Sequence, residues 1–153
     1  MASTTFSGPV TSDNGFIGAL TGNVTGNIAG TGKITHATTA AINATATATV
    51  AEVATGYITS TSAAGTTITL PTGTLLGGYI GATQGTVFDL YIDNTAGAST
   101  VTIAVAVNGI LSTAAADTAG SFGDLTVAAG ATGLARFTLM FSSATAYAFT
   151  RTA

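Results

Sequence analysis

Between Phe16 and Ile34 the chain reads FIGALTGNVTGNIAGTGKI, and its apolar positions keep one phase of a two-residue period. Phe16, Gly18, Leu20, Gly22, Val24, Gly26, Ile28, Gly30, Gly32 and Ile34 share that phase, while Thr21, Asn23, Thr25, Asn27, Ala29, Thr31 and Lys33 take the other. A period of two puts alternate side chains on opposite faces of an extended strand. Such a run spans roughly 60 Å at about 3.3 Å per residue. Fixing its backbone costs roughly 20–40 kcal/mol at about 1–2 kcal/mol per residue. Burial of Phe16, Leu20, Val24, Ile28 and Ile34 returns only about 8–15 kcal/mol. The run does not order itself, so neighbouring chains must supply its partners. Glycine between Val and Ile, having no Cβ, lets another backbone come close. The competing reading is a Gly/Thr linker, which has no reason to hold its alternation in phase.

Residues 1–44 are therefore read as an extended arm rich in Gly, Thr and Asn, and residues 45–153 as a β domain. From Thr45 onward β-branched runs recur between turn signals. TATAT leads into TVAEVATG, where Thr49 and Glu52 have capping-box spacing and Gly56 can end one helical turn. YITST and TTITL follow, with SAAG between them predicted as a hairpin, and Pro71 stops the second run because it has no N–H to give. GTLLGGYIG reads as a loop or short helical turn pinned by Leu75, Leu76, Tyr79 and Ile80. TVFDLYID turns Phe88, Leu90 and Ile92 to one side and Asp89, Tyr91 and Asp93 to the other. TVTIAVAV places Val101, Ile103, Val105 and Val107 together, DLTVAAG offers Leu125 and Val127, and LARFTLMFS with TAYAFTRT closes the chain with Phe137, Leu139 and Phe141 inward. About eight strands in a domain of this length predict an all-β fold, an antiparallel β-sandwich of jelly-roll-like form behind an extended N-terminal arm.

Composition narrows the function. Charged residues make up 6% of the 153 and the net charge is −3, against about 25% charged in ordinary soluble domains. Lys33, Arg136 and Arg151 are the only basic side chains apart from His36. Neither nucleic acid nor an anionic membrane surface is expected as partner, because both require a basic footprint. No apolar run is long enough to span a membrane, and no secretory signal is visible at the start. Cysteine is absent, which removes disulfides and thiolate chemistry.

Motifs for chemistry are weak. GTGKIT fails the phosphate-loop pattern at Asn27 and at Ile34. Asp89 and Asp93 flank Tyr91 on one strand face, but two carboxylates do not make a cation site, and Asp93-Asn94 reads better as turn chemistry. His36 has no nucleophile or oxyanion donor suggested near it. Catalytic, cofactor and metal residues are all expected to be absent, and the chain is expected not to be an enzyme. Tyr57, Tyr79, Tyr91 and Tyr147 look dispersed, which speaks against a glycan site, and threonine ladders such as TATAT, suited to ice, look too irregular to form an array.

The tract LTGNVTGNIAGTGKI resembles the glycine-punctuated tracts of bacteriophage fibre and capsid-decoration proteins. The segment GYITSTSAAGTTITLPTGTLLGGYIGATQGTVFDLYIDNTAGASTVTIAVAVNGI, and the closing LARFTLMFSSATAYAFTRTA, are similar to small β-sandwich virion proteins of tailed phages. That resemblance implies a homotrimeric structural protein, made in the host cytoplasm and carried on the virion, a decoration or cement protein whose partner is the major capsid protein of the shell. Its alternative is a fibre or adhesin subunit that binds a host surface receptor or glycan. The interface residues expected on this reading are Phe6, Phe16, Leu20, Gly22, Val24, Gly26, Ile28 and Ile34.

Overall fold

The structure, a computed structural model, describes residues 38–107, 109–111 and 125–152. Its strands are β1 (Ala40–Ala41), β2 (Ala46–Thr47), β3 (Tyr57–Thr59), β4 (Thr66–Leu70), β5 (Val87–Asp93), β6 (Val101–Val105), β7 (Gly109–Leu111), β8 (Thr126–Val127), β9 (Leu134–Ser143) and β10 (Ala146–Arg151). Two short helices, α1 (Val50–Ala54) and α2 (Gly73–Ile80), interrupt them. The fold of the described residues is thus largely β. The sheets begin ahead of Thr45: Ala40 and Ile42 are already buried in the core.

The strands form a six-stranded sheet of order β1-β3-β5-β9-β10-β7 and a four-stranded sheet of order β2-β4-β6-β8. From β1 to β9 the chain visits the two sheets alternately. Through β6, a strand's same-sheet neighbour is one full circuit away and runs in the same direction. Accordingly β1 and β3, β3 and β5, β2 and β4, and β4 and β6 all pair in parallel. The purely antiparallel arrangement read from the sequence is corrected on this point. Antiparallel pairing is confined to β5 with β9, β9 with β10, and β6 with β8.

The hairpin predicted at SAAG is the clearest correction. Residues 60–65 carry the chain from the larger sheet across to the smaller one, because β3 and β4 belong to different sheets. The crossing lies on the next one along the chain: Ser60 N donates to Asp93 O at 2.8 Å and Ala98 N to Ser62 O at 3.0 Å. Successive circuits stack like on like. Tyr57 pairs with Tyr91, Ile58 with Ile92, Thr67 with Thr102 and Ile68 with Ile103. Such ladders fill both sheets' inner positions with β-branched side chains, which suit a pleated, buried surface.

The inward faces meet in one cluster. Ile58, Ile68, Leu70, Leu90, Ile92, Val101, Ile103, Val127, Phe137, Leu139, Phe141, Tyr147 and Phe149 are buried in it, with Phe88, Val105 and Leu125 packed at its margin. Phe137 and Phe149 stack at 5.0 Å between ring centroids. Tyr147 keeps its hydroxyl satisfied by donating to Pro71 O at 2.9 Å, and burial pushes its pKa up to about 12. Three apolar residues expected to pack inward are exposed. Val107 lies beyond the end of β6, and on α2 Leu76 is buried and Ile80 packs half-buried against the core, while Leu75 and Tyr79, one helical turn apart, face solvent. A short helix laid on the core buries one stripe, here Leu76 with Ile80 at its margin, and leaves the side of Leu75 and Tyr79 to solvent.

The helix signals were read correctly. Thr49 accepts from Glu52 N at 3.2 Å and Glu52 returns a carboxylate to Thr49 N at 2.7 Å. Gly56, at φ 72°, follows the last turn in the left-handed conformation that glycine adopts without a Cβ penalty.

At the crossing from β5 to β6 a single buried amide holds several segments. Asn94 is fully buried. Its Nδ2 donates to the carbonyls of Ser99, Ala128 and Val127 at 2.9, 3.0 and 3.1 Å, and its backbone N donates to Gly133 O at 2.7 Å. Gly133 is required there: a Cβ on it would lie 2.7 Å from the Asn94 carbonyl oxygen and 2.8 Å from Ala128 O. Asn94→Ala should therefore cost about 1–3 kcal/mol, as expected when buried carbonyls lose their donor. Asn94→Asp should cost more, because it sets a buried carboxylate against three carbonyl oxygens. Urea denaturation of the two variants checks the order. Phe137→Ala, a cavity mutation at the centre of the core, serves as the reference at about 3–5 kcal/mol.

Candidate functional site

The interface residues expected in the arm, Phe6, Phe16, Leu20, Gly22, Val24, Gly26, Ile28 and Ile34, lie outside the described residues, as does His36. Among the described residues the chemistry collects on the outer face of the larger sheet. Alternation builds that face. On β5, Leu90 and Ile92 point inward, so Asp89, Tyr91 and Asp93 point outward. On β9, Ala135, Phe137, Leu139 and Phe141 are buried and Arg136 and Thr138 lie on the opposite side. Tyr57 takes the matching outward position on β3.

Register then brings these side chains together. Tyr57 faces Tyr91 across the parallel β3–β5 pair, and Tyr91 faces Arg136 across the antiparallel β5–β9 pair. The two tyrosine rings lie 6.4 Å apart at 25°. The tyrosines expected to be dispersed are thus adjacent in this pair, while Tyr147 is buried and Tyr79 stands apart on α2. The signal that reveals the pair is an internal repeat: Tyr-Ile at 57–58 and Thr-Ile at 67–68 recur at 91–92 and 102–103. Stacking one copy on the other puts like residues side by side.

Hydrogen bonds hold the polar members. Asp93 Oδ1 accepts from Thr95 Oγ1 at 2.6 Å and from Thr95 N at 2.9 Å, the turn chemistry read from Asp93-Asn94. Asp93 Oδ2 accepts from the Tyr57 hydroxyl at 2.7 Å. Thr138 Oγ1 donates to Asp89 Oδ1 at 2.7 Å. Arg136 Nε donates to Thr152 Oγ1 at 3.1 Å. These bonds perturb two acidities. The Thr95 and Tyr57 hydroxyls hold the Asp93 carboxyl below the usual carboxylate range. The bond to Asp93, with some burial and the nearby negative charge, raises the pKa of Tyr57. Asp89 and Asp93 remain separated by Tyr91, and among the described residues no group of three histidine or acidic side chains gathers to hold a metal ion.

The outer face of the smaller sheet is different in kind. Thr67, Thr102 and Thr126 align across β4, β6 and β8, and Thr47, Thr69 and Ala104 align across β2, β4 and β6. Thr45, in the TATAT tract, accepts from Thr67 N at 3.1 Å at the end of the first row. The threonines are thus more regular than the sequence suggested, since parallel circuits place them in register. These rows carry hydroxyls and methyls and no charge.

Compared with known proteins, the chain matches no family model, no curated protein and no solved structure.

The Tyr57–Asp93 bond has a pH signature. A carboxyl whose folded pKa is depressed contributes stability above its unfolded pKa and loses that contribution as pH falls through the folded value. A tyrosine whose folded pKa is raised contributes below its unfolded pKa and loses it as pH rises through the folded value. Tyr57→Phe should consequently flatten the alkaline fall in stability and move the Asp93 transition toward the ordinary carboxylate range. Denaturation midpoints across the acid and alkaline limbs, with NMR titration of the Asp93 carboxyl, measure both changes.

Proposed function

We propose that the chain is a non-enzymatic virion structural protein, a capsid decoration or cement protein that binds the outer shell as a homotrimer and braces it. On this reading the two sheets form a sandwich whose smaller-sheet outer face meets other subunits, and the major capsid protein is the partner. One observation carries the reading: the register-aligned Thr and Ala rows on the outer face of the smaller sheet. An uncharged surface of this type can be buried against a neighbour without stranding an unpaired ion, which is the main cost of burying a charged one. The resemblance of LTGNVTGNIAGTGKI to phage decoration and fibre tracts supports the same conclusion. A fibre or adhesin subunit is the second reading, favoured by the paired Tyr57 and Tyr91 on the larger sheet. Copy number in purified particles separates the two, being shell-wide for a decoration protein and confined to a tail or vertex for a fibre.

Two variants test the assembly reading. Thr102→Lys places a charge in the middle of the smaller sheet's face, and should weaken trimer formation or shell binding while leaving the circular dichroism spectrum unchanged. Deletion of residues 2–34 should leave the β domain folded and abolish binding to shells that lack the protein. Sedimentation velocity and co-sedimentation with empty capsids read both outcomes. A wild-type protein that stays monomeric at every concentration, or a truncated one that decorates shells as tightly as the full chain, overturns the trimer or the arm-mediated attachment respectively.

A further inference from the structure

The two ends of the smaller sheet differ. At the far end Arg151 reaches over β8, where Nη1 donates to Thr126 O at 2.9 Å. At the near end both sheets stop together, since β1 is the first strand of the larger sheet and β2 of the smaller. Ile42 N donates to Thr59 O and Ala48 N to Thr69 O, both at 2.9 Å. Backbone N–H groups alternate sides along a strand, so those of Ala41 and Thr47 point away from β3 and β4. Among the described residues neither N–H has a partner, and both residues are exposed. Such an edge is a template for another strand unless charge, proline or a bulge protects it. Residues 38–49 contain neither charge nor proline. The core is unfinished at the same end: Ala46 pairs with buried Ile68 and shares its inward phase, yet Ala46 is exposed.

We propose that this open end is a strand-addition site whose occupant is residues 24–34 of a second copy, paired in parallel along β1. The inference rests on the homotrimer reading above and names the contact that builds it. Donor and site match in chemistry. Val24, Ile28 and Ile34 share one phase of the donor run, and Thr25, Asn27 and Thr31 take the other. The coil already stacks isoleucine on isoleucine inside and threonine on threonine outside, so a strand of this alternation continues both layers. Gly26, Gly30 and Gly32, in the apolar phase, add no bulk against the small Ala40, Ala46 and Ala48. In strand addition the main-chain bonds give affinity and alternate side chains give specificity.

Chain length points to a second copy as donor. The shortest parallel circuit among the described residues runs from Ala40 to its partner Ile58. A circuit of equal length counted back from Ala40 reaches Gly22, upstream of the donor run. Residues 24–34 therefore precede β1 too closely to be its parallel neighbour within one molecule. Donor run and acceptor edge are different surfaces, so the contact is head-to-tail. Three copies that each give and take one strand close a ring.

The experiment uses the full chain, which has no native cysteine. Chains with Ala41→Cys alone are refolded together with chains carrying Thr25→Cys, Asn27→Cys or Thr31→Cys alone, and then oxidised. A disulfide joining the two kinds requires Cα atoms within about 7 Å and forms only between copies. At least one arm position should give this mixed dimer. Ala148→Cys, exposed on β10 and four strands from β1, should give none with the same partners. Ala41→Pro, which removes the unpaired N–H, should shift sedimentation from trimer to monomer without changing the circular dichroism spectrum. A wild-type trimer that yields no mixed dimer at any of the three positions overturns this inference and leaves the trimer reading standing. A wild-type chain that is monomeric at every concentration overturns both. A disulfide that forms within single molecules of an Ala41→Cys, Asn27→Cys double variant assigns the edge to the chain's own arm and overturns the second copy as occupant.

Discussion

The arrangement of both sheets depends on one buried side-chain amide. Asn94 sits where the chain leaves β5 for the smaller sheet, and its Nδ2 ties the carbonyls of Ser99, Val127 and Ala128. Ser99 precedes β6, Val127 ends β8, and Ala128 begins the path to β9. The start of β6 and the distant end of β8 are thereby both clamped to the end of β5. Backbone groups at such a crossing cannot pair within a sheet, and buried ones left unpaired cost about as much as a lost hydrogen bond. An amide is the side chain suited to this position, since it donates to several carbonyls at once and carries no charge. Gly133 then completes the junction by letting its own backbone approach Asn94 closely.

With that crossing fixed, the rest of the fold follows from repetition. Through β6, each circuit lays a strand on the larger sheet and then one on the smaller, and each new strand pairs in parallel with the one before it on that sheet. Register copies chemistry as well as shape. Isoleucine stacks on isoleucine in the core, threonine on threonine outside the smaller sheet, and tyrosine on tyrosine outside the larger. The long antiparallel pair β9–β10 ends the winding, with β9 alongside β5 and β7 paired to β10. The outer chemistry on each sheet is thus a consequence of stacked circuits and not of a dedicated loop.

What the sequence made legible was everything that depends on local pattern. Alternation marked most inward residues of β5, β6 and β9, spacing found the Thr49–Glu52 capping box, and Pro71 marked the end of β4. The errors arose where one local signal serves two topologies. A short Gly-containing loop between two β-rich runs looks the same whether the chain reverses within a sheet or crosses between sheets, so SAAG read as a hairpin. Alternation does not distinguish parallel from antiparallel pairing either. The recurrence of Tyr-Ile and Thr-Ile did carry that information, because only stacked circuits bring positions 57 and 91 side by side. Asn94 was invisible for another reason: after an aspartate in a turn, an asparagine reads as turn chemistry whether it is exposed or buried.

The two outer faces divide the surface by what each can tolerate. A neighbouring subunit that covers a face must desolvate every charge on it, and ions removed from water without partners are costly. The threonine rows present no such charges and so suit permanent burial. The Tyr57, Asp89, Asp93 and Arg136 face keeps its charges where solvent still reaches them, each oriented by a hydroxyl from a neighbouring residue. Winding the chain between two sheets produces both faces from the same circuits. The threonines next to Ile68 and Ile103 face outward on the smaller sheet, and the tyrosines next to Ile58 and Ile92 face outward on the larger. A single repeated unit with apolar residues on its inner side thereby gives an uncharged outer face on the smaller sheet and a charged one on the larger, over one shared core cluster.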